Sequence, residues 1–155
     1  MENERSTIRI LNALTSFDID QFDDRLRLQK IVFLARKLGH DLGYSYNWYA
    51  RGPYSPSLTR ILFTAHKQDQ LVLVDSELTS DERDIVKALK GFLQKDMEDP
   101  NVLELLASVW YFIRRRPYTR KERNELIDSI VQIKPKLSRN DVERAYDRIM
   151  CFRES

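Results

Sequence analysis

The sequence predicts a mainly α protein with a small β-sheet: a winged-helix-like N-terminal half (residues 1–78) with an all-helical C-terminal extension (79–155) packed on it, together one compact domain. Three observations lead there. Apolar residues recur at helical spacing in about seven segments, several of them opened by a residue that caps a helix. The stretch Tyr44 to Arg51 alternates with a period of two and is rich in aromatics, as a strand is. Between it and the next helix lies Gly52-Pro53-Tyr54-Ser55-Pro56, a turn whose two prolines each fix a backbone angle.

Taken in order, Ile8, Leu11 and Leu14 give a first amphipathic helix over about residues 4–15. Asp23 or Asp24 is placed to cap a second, with Leu28, Ile31, Val32, Ala35 and Leu38 on one stripe and Arg25, Gln29, Arg36 and Lys37 on other faces. Gly39 and Gly43 mark where it ends, because glycine enters the left-handed region without a Cβ clash. The strand that follows puts Tyr44, Tyr46, Trp48 and Ala50 on one face, and Gly52-Pro53 stops it. Ser55 and Pro56 are the N-cap and first residue of a helix reaching about Gln68, with Leu58, Ile61, Leu62 and Ala65 inward. Leu71 to Val74 reads as a second strand able to pair with the first, and Asp75-Ser76 as a turn.

Four further helix starts follow. Thr79 with Glu82 and Thr119 with Glu122 have capping-box spacing, Asp99-Pro100 repeats the cap-then-proline pattern, and Ser138 with Asp141 opens the last helix. Their apolar faces carry Ile85, Leu89, Phe92 and Leu93; Leu103, Leu106, Val109, Trp110 and Ile113; Leu126, Ile127, Ile130 and Ile133; and Val142, Ala145, Tyr146 and Ile149.

Bulk properties exclude more than they assign. At 42% apolar and 32% charged, the chain suits a soluble helical protein, and its formal charge of +2 announces neither nucleic acid nor membrane, so any electrostatic argument must be local. Cys151 is the only cysteine, which rules out an internal disulfide or a thiolate metal site and fits a reducing, cytoplasmic setting. No apolar run approaches the ~20 residues of a membrane span, and the charged start Met1-Glu-Asn-Glu-Arg precedes no signal-type apolar core.

The residues Leu28-Gln-Lys-Ile-Val-Phe-Leu, followed by Trp48-Tyr-Ala-Arg-Gly-Pro-Tyr-Ser-Pro, resemble the YwgA-like family of bacterial and archaeal proteins. More distantly they are similar to the Panacea domain of antitoxins, in which a Leu-x-Lys-Leu helix precedes an aromatic-x-x-Gly-Pro turn. Leu103-Glu-Leu-Leu-Ala-Ser-Val-Trp and the Lys134 to Tyr146 region also look YwgA-like, so the likeness extends over most of the chain. It implies a small helical, winged-helix-related fold without established catalytic chemistry, and, from the Panacea side, recognition of a partner protein. Tyr54 after Gly-Pro and the longer helical tail depart from the Panacea pattern.

Two classes of function follow. In the first, the chain binds nucleic acid or regulates transcription: Ser57, Arg60, Thr64 and Lys67, with Arg51, form a reading face, and Arg114, Arg115, Arg116, Arg120 and Lys121 anchor phosphates. Each group has a plainer explanation, as the solvated side of a helix or as cations at a helix end with Glu122 and Glu125 to pair them. In the second class, the aromatic strand and Gly-Pro turn present Tyr49 and Tyr54 to a partner protein; a homodimer is compatible with either. Enzyme chemistry has no motif. His40, His66 and Cys151 lack ligand spacing, Asp18, Asp20, Asp23 and Asp24 lack the remainder of a calcium loop, and no cofactor is expected.

Overall fold

Helix starts fall where local signals place them. The computed structural model of the protein describes residues 2–69, 71 and 77–154, and the expected strand Leu71 to Val74 and turn at Asp75-Ser76 lie outside them, Leu71 excepted. The elements are α1 (Glu2–Leu14), α2 (Phe22–Lys37), β1 (Asn47–Tyr49), β2 (Gly52–Tyr54), α3 (Pro56–Lys67), α4 (Ser80–Leu93), a 3₁₀ turn (Gln94–Glu98), α5 (Pro100–Phe112), α6 (Arg120–Ile133) and α7 (Arg139–Glu154). Ser55 Oγ accepts from the Leu58 N–H, and both threonine capping boxes are complete. Asp99 Oδ1 accepts from the N–H groups of Asn101 and Val102, and Ser138 Oγ from that of Asp141.

The start of α2 is an exception. Its N-cap is Gln21, which makes no side-chain cap, while Asp23 and Asp24 fall in the first turn, where their charge meets the positive end of the helix dipole. Its far end behaves as expected: Gly39 sits at φ +97°, and the N–H groups of Gly39 and His40 return to the carbonyls of Arg36 and Ala35, closing a Schellman motif.

Two compact units divide the chain, Met1–Glu104 and Leu105–Ser155, with the boundary inside α5. In the first unit α2 is central, packing on α3, α4, β2 and the 3₁₀ turn, while α1 packs on α4. Every residue from Leu26 to Ala35 is buried, so the expected stripe is a full cylinder that includes Arg27, Gln29 and Lys30. Gln29 therefore does not lie on an outer face; with neighbours on all sides, α2 has none to spare over this stretch. A bidentate pair ties α1 to α4, Arg9 Nε to Glu82 Oε1 at 3.0 Å and Arg9 Nη2 to Oε2 at 2.7 Å.

The first strand is shorter than the sequence suggests. Only Asn47–Tyr49 of the Tyr44 to Arg51 stretch is strand, and it pairs antiparallel with Gly52–Tyr54 in the register Asn47↔Tyr54, Trp48↔Pro53, Tyr49↔Gly52. Gly52-Pro53 is thus the second strand and not the stop: Gly52 takes φ +95° just after the turn, which a side chain would resist, and with two strands in the sheet among the described residues β2 is an edge there, where proline is tolerated.

In the second unit the buried residues include Leu106, Val109 and Trp110 of α5 and Ile113 just after it, Ile127 and Ile130 of α6, and Val142, Ala145, Tyr146 and Ile149 of α7. Ile133, expected inward, is 47% exposed because the buried stripe runs through Ile127, Ile130 and Lys134, and position 133 lies to one side of it. The α6 cap offers a clean test. Thr119→Ala should lower the unfolding free energy by about 1 kcal/mol, read from the urea midpoint of the helical signal; an unmoved midpoint would show the cap to be idle.

Candidate recognition surface

The corner from β2 into α3 is built from polar bonds to the core. Gln29 treats Ser55 as one peptide treats another: its Nε2 donates to the Ser55 carbonyl and its Oε1 accepts from the Ser55 N–H, each at 2.9 Å. The same Nε2 lies 2.8 Å from Thr59 Oγ1, which shares a 2.6 Å bond with the Tyr54 hydroxyl. Lys30 Nζ donates to the Pro53 carbonyl at 2.6 Å. Tyr54 is thereby fixed, and the Tyr49 ring meets its ring edge-to-face at 5.2 Å.

Beside this corner runs a chain of aromatic and guanidinium contacts. Arg25 lies 5.7 Å from the Phe63 ring centre and 5.9 Å from that of Phe22, and Arg51 lies 5.6 Å from Phe22, all within cation–π range. Arg25 also donates to the Ile19 carbonyl at 2.9 Å, and Arg51 is ion-paired with Glu104. Phe22 is 52% and Tyr49 44% exposed, two large hydrophobic residues held out by a frame of hydrogen bonds and stacked cations.

The sequence-derived reading face divides. Arg60, Thr64 and Lys67 are exposed on α3 as expected, and Arg60 and Lys67 form no ion pair among the described residues. Ser57 is half-buried and shares a 3.0 Å bond with Ser55 Oγ, so its hydroxyl is taken up by the N-cap two residues before it. Arg51 sits at the hairpin turn, already matched by Glu104. Tyr49 is exposed, whereas Tyr54 is half-buried because its hydroxyl is used by Thr59. The other aromatics of the stretch turn inward: Tyr44, buried, bonds Thr7 Oγ1 at 2.9 Å, and Tyr46 meets Phe33 edge-to-face at 5.2 Å. Burial pushes both phenols above their ordinary range.

In the second unit the arginine loop is partly spent on itself. Arg116 stacks over Tyr118 at 5.3 Å and pairs with Glu122 at 2.6 Å, and Lys121 is 4.0 Å from Glu125. Bonding to Arg116, and to the Thr119 N–H, holds the Glu122 carboxyl below its ordinary value. Arg153 clasps the loop by donating to the carbonyls of Arg114 and Arg115 at 3.1 and 3.0 Å, and the Arg114 N–H donates to the Tyr118 hydroxyl at 2.9 Å. Arg114, Arg115 and Arg120 leave this fixed loop exposed.

Among the described residues no group of three or more His, Cys, Asp or Glu side chains could hold a metal ion, and no helix is long and apolar enough to cross a membrane. The acidic stretch closes its own loop, Asp18 accepting from the Asp20 N–H and Asp24 from that of Asp18, while Asp24 pairs with Arg27 and Asp20 lies 3.7 Å from His66. Phe22, Arg25, Gln29, Lys30, Thr59 and Phe63 had no signal of their own as site residues. A trace existed for two of them: Gln29 and Lys30 interrupt the Leu26 to Ala35 run, whose other apolar positions already surround the helix. Comparison of the chain with protein-family models, curated proteins and solved structures finds no match.

Proposed function

We propose that this chain is a non-enzymatic recognition module that binds a partner protein through the hairpin and the adjoining flank of α3, the antitoxin-type role implied by the resemblance of its Gly52-Pro53 turn to Panacea domains. The observation that carries the reading is the exposure of Phe22 and Tyr49, 52% and 44%, around a frame that immobilises their neighbours Arg25, Arg51 and Tyr54. Aromatic and arginine side chains on a preorganised surface bind at low entropic cost, and they supply most interface hot spots.

A partner isolated from native extracts and repurified should bind the wild-type chain and lose about 30-fold or more in affinity to Tyr49→Ala or Phe22→Ala, at hot-spot cost, with the helical spectrum unchanged. Failure to isolate a partner, or full affinity in both variants, would overturn the reading.

A second reading, nucleic-acid binding or transcription regulation of winged-helix type, is favoured by one observation: the exposed Arg60 and Lys67 have no ion-pair partner among the described residues. It expects labelled DNA to bind with an affinity that falls with salt, by a log–log slope of about −0.9 per phosphate contact on duplex, and Arg60→Glu with Lys67→Glu to abolish that binding. Arg114→Glu with Arg115→Glu tests the loop of the second unit in the same titration. Absence of binding at low salt would remove this alternative.

A further inference from the structure

We infer that Gln29 and Lys30 are positioning residues, placed in the core to hold the hairpin and the start of α3 in register and not to hold the core together. Both side chains are all but inaccessible, at 2% and 1% exposure. Core positions on a central helix are ordinarily apolar, because an amide must there find partners for each of its groups and an ammonium loses its hydration. Removing either side chain leaves its partners at the corner, the Pro53 carbonyl or the backbone groups of Ser55, unmatched, a cost that local opening to water can relieve. What these two do in return is specific. They bond the Pro53 carbonyl and both backbone groups of Ser55, and Gln29 also bonds the Thr59 hydroxyl that fixes Tyr54.

A two-stranded hairpin standing alone is marginal in water. Among the described residues β1 and β2 are the only strands of their sheet, and on the side of β2 away from β1 the groups that meet its backbone are Gln29 and Lys30. Gln29 and Lys30 do there with side chains what a third strand does with its backbone. The ring pair Tyr49–Tyr54 then inherits its placement from α2, the most enclosed helix of the first unit. The inference rests on the surface proposed above for its purpose, while its main readout is taken on the free protein.

The test is amide hydrogen exchange on the full chain carrying Lys30→Met or Gln29→Met, substitutions that keep the volume and remove the bonds. Expected is a tenfold or greater loss of protection at Tyr49, Tyr54 and Ser55 that exceeds any change along α2 and α4. Unchanged protection at the hairpin would overturn the inference, and so would a loss spread in proportion over α2 and α4, which would make the pair ordinary core. Tyr49→Ala separates the two proposals, since it should remove partner binding yet leave exchange at Tyr54 and Ser55 as in the wild type. If Tyr49→Ala binds normally while the methionine variants show the local loss, the clamp stands and the surface reading falls.

Discussion

Arg27→Met should lower the unfolding free energy by about 3 to 5 kcal/mol, the largest effect of any single polar substitution considered. The Arg27 guanidinium is almost wholly buried and joins three segments: Nη1 donates to Thr15 Oγ1 at 3.0 Å and the Met97 carbonyl at 3.1 Å, and Nη2 to the Ser16 carbonyl and Asp24 Oδ1, both at 3.0 Å. Glu98 Oε2 lies 3.6 Å away. Burial works against ionisation of Asp24, yet bonds from the Asp18 N–H and from Arg27 bring its carboxyl below the ordinary value. Methionine fills much of the same space but leaves these acceptors unmatched, and unmatched buried acceptors each cost about 1–3 kcal/mol. Arg27→Lys should recover only part of the loss, since an ammonium cannot span the fork of acceptors a guanidinium reaches. Equilibrium urea unfolding decides it; a loss under about 1 kcal/mol would show that solvent satisfies these groups instead.

The second large effect depends on pH. Glu82 is held down to about 2, chiefly by the Arg9 hydrogen bonds against the opposing effect of its own burial, with help from Ser6 and the Thr79 N–H. Set against an ordinary value of 4.5, a depression of this size corresponds to about 3 kcal/mol at neutral pH. A carboxylate with a lowered folded-state pKa stabilises fully above its unfolded-state value, and the contribution fades as pH falls through the folded value. The wild-type chain should therefore lose stability between about pH 5 and pH 2. Glu82→Gln should be destabilised by about 3 kcal/mol at pH 7 and approach the wild type at the acid end of that window. Parallel unfolding curves of the two proteins at pH 7, 4 and 2.5 measure this, and a gap that stays constant with pH would assign the loss to packing.

What could be read in advance was local. Ser55 with Pro56, Thr79 with Glu82, Asp99 with Pro100, and Ser138 all cap the helices they were expected to cap, because a cap is made between residues two or three apart and needs nothing from elsewhere. The apolar faces of α5 and α7 were legible for a related reason, since helical periodicity records which side meets a core. Pairing was harder. Tyr44 to Arg51 looked like one strand in search of a distant partner, and the structure folds its second half onto Gly52–Tyr54, since glycine after Arg51 permits a hairpin at once. In the candidate site, the exposure of Tyr49, Arg60, Thr64 and Lys67 and the pairing of the arginine loop with Glu122 followed from face and spacing, while the retirement of Tyr54, Ser57 and Arg51 into bonds with Thr59, Ser55 and Glu104 did not.

By itself, then, the chain's order of residues determined the helices and most of their starts, the Ser55–Pro56 start of α3 among them, because these depend on interactions within a few residues. Tertiary structure alone decided that Arg27, Gln29 and Lys30 lie inside and that Phe22 lies outside. The physical reason is that the free energy of a polar side chain depends on which acceptors surround it. The acceptors of these three, Met97 and Ser16 for Arg27, Ser55 for Gln29 and Pro53 for Lys30, are brought to α2 only when its neighbours have packed.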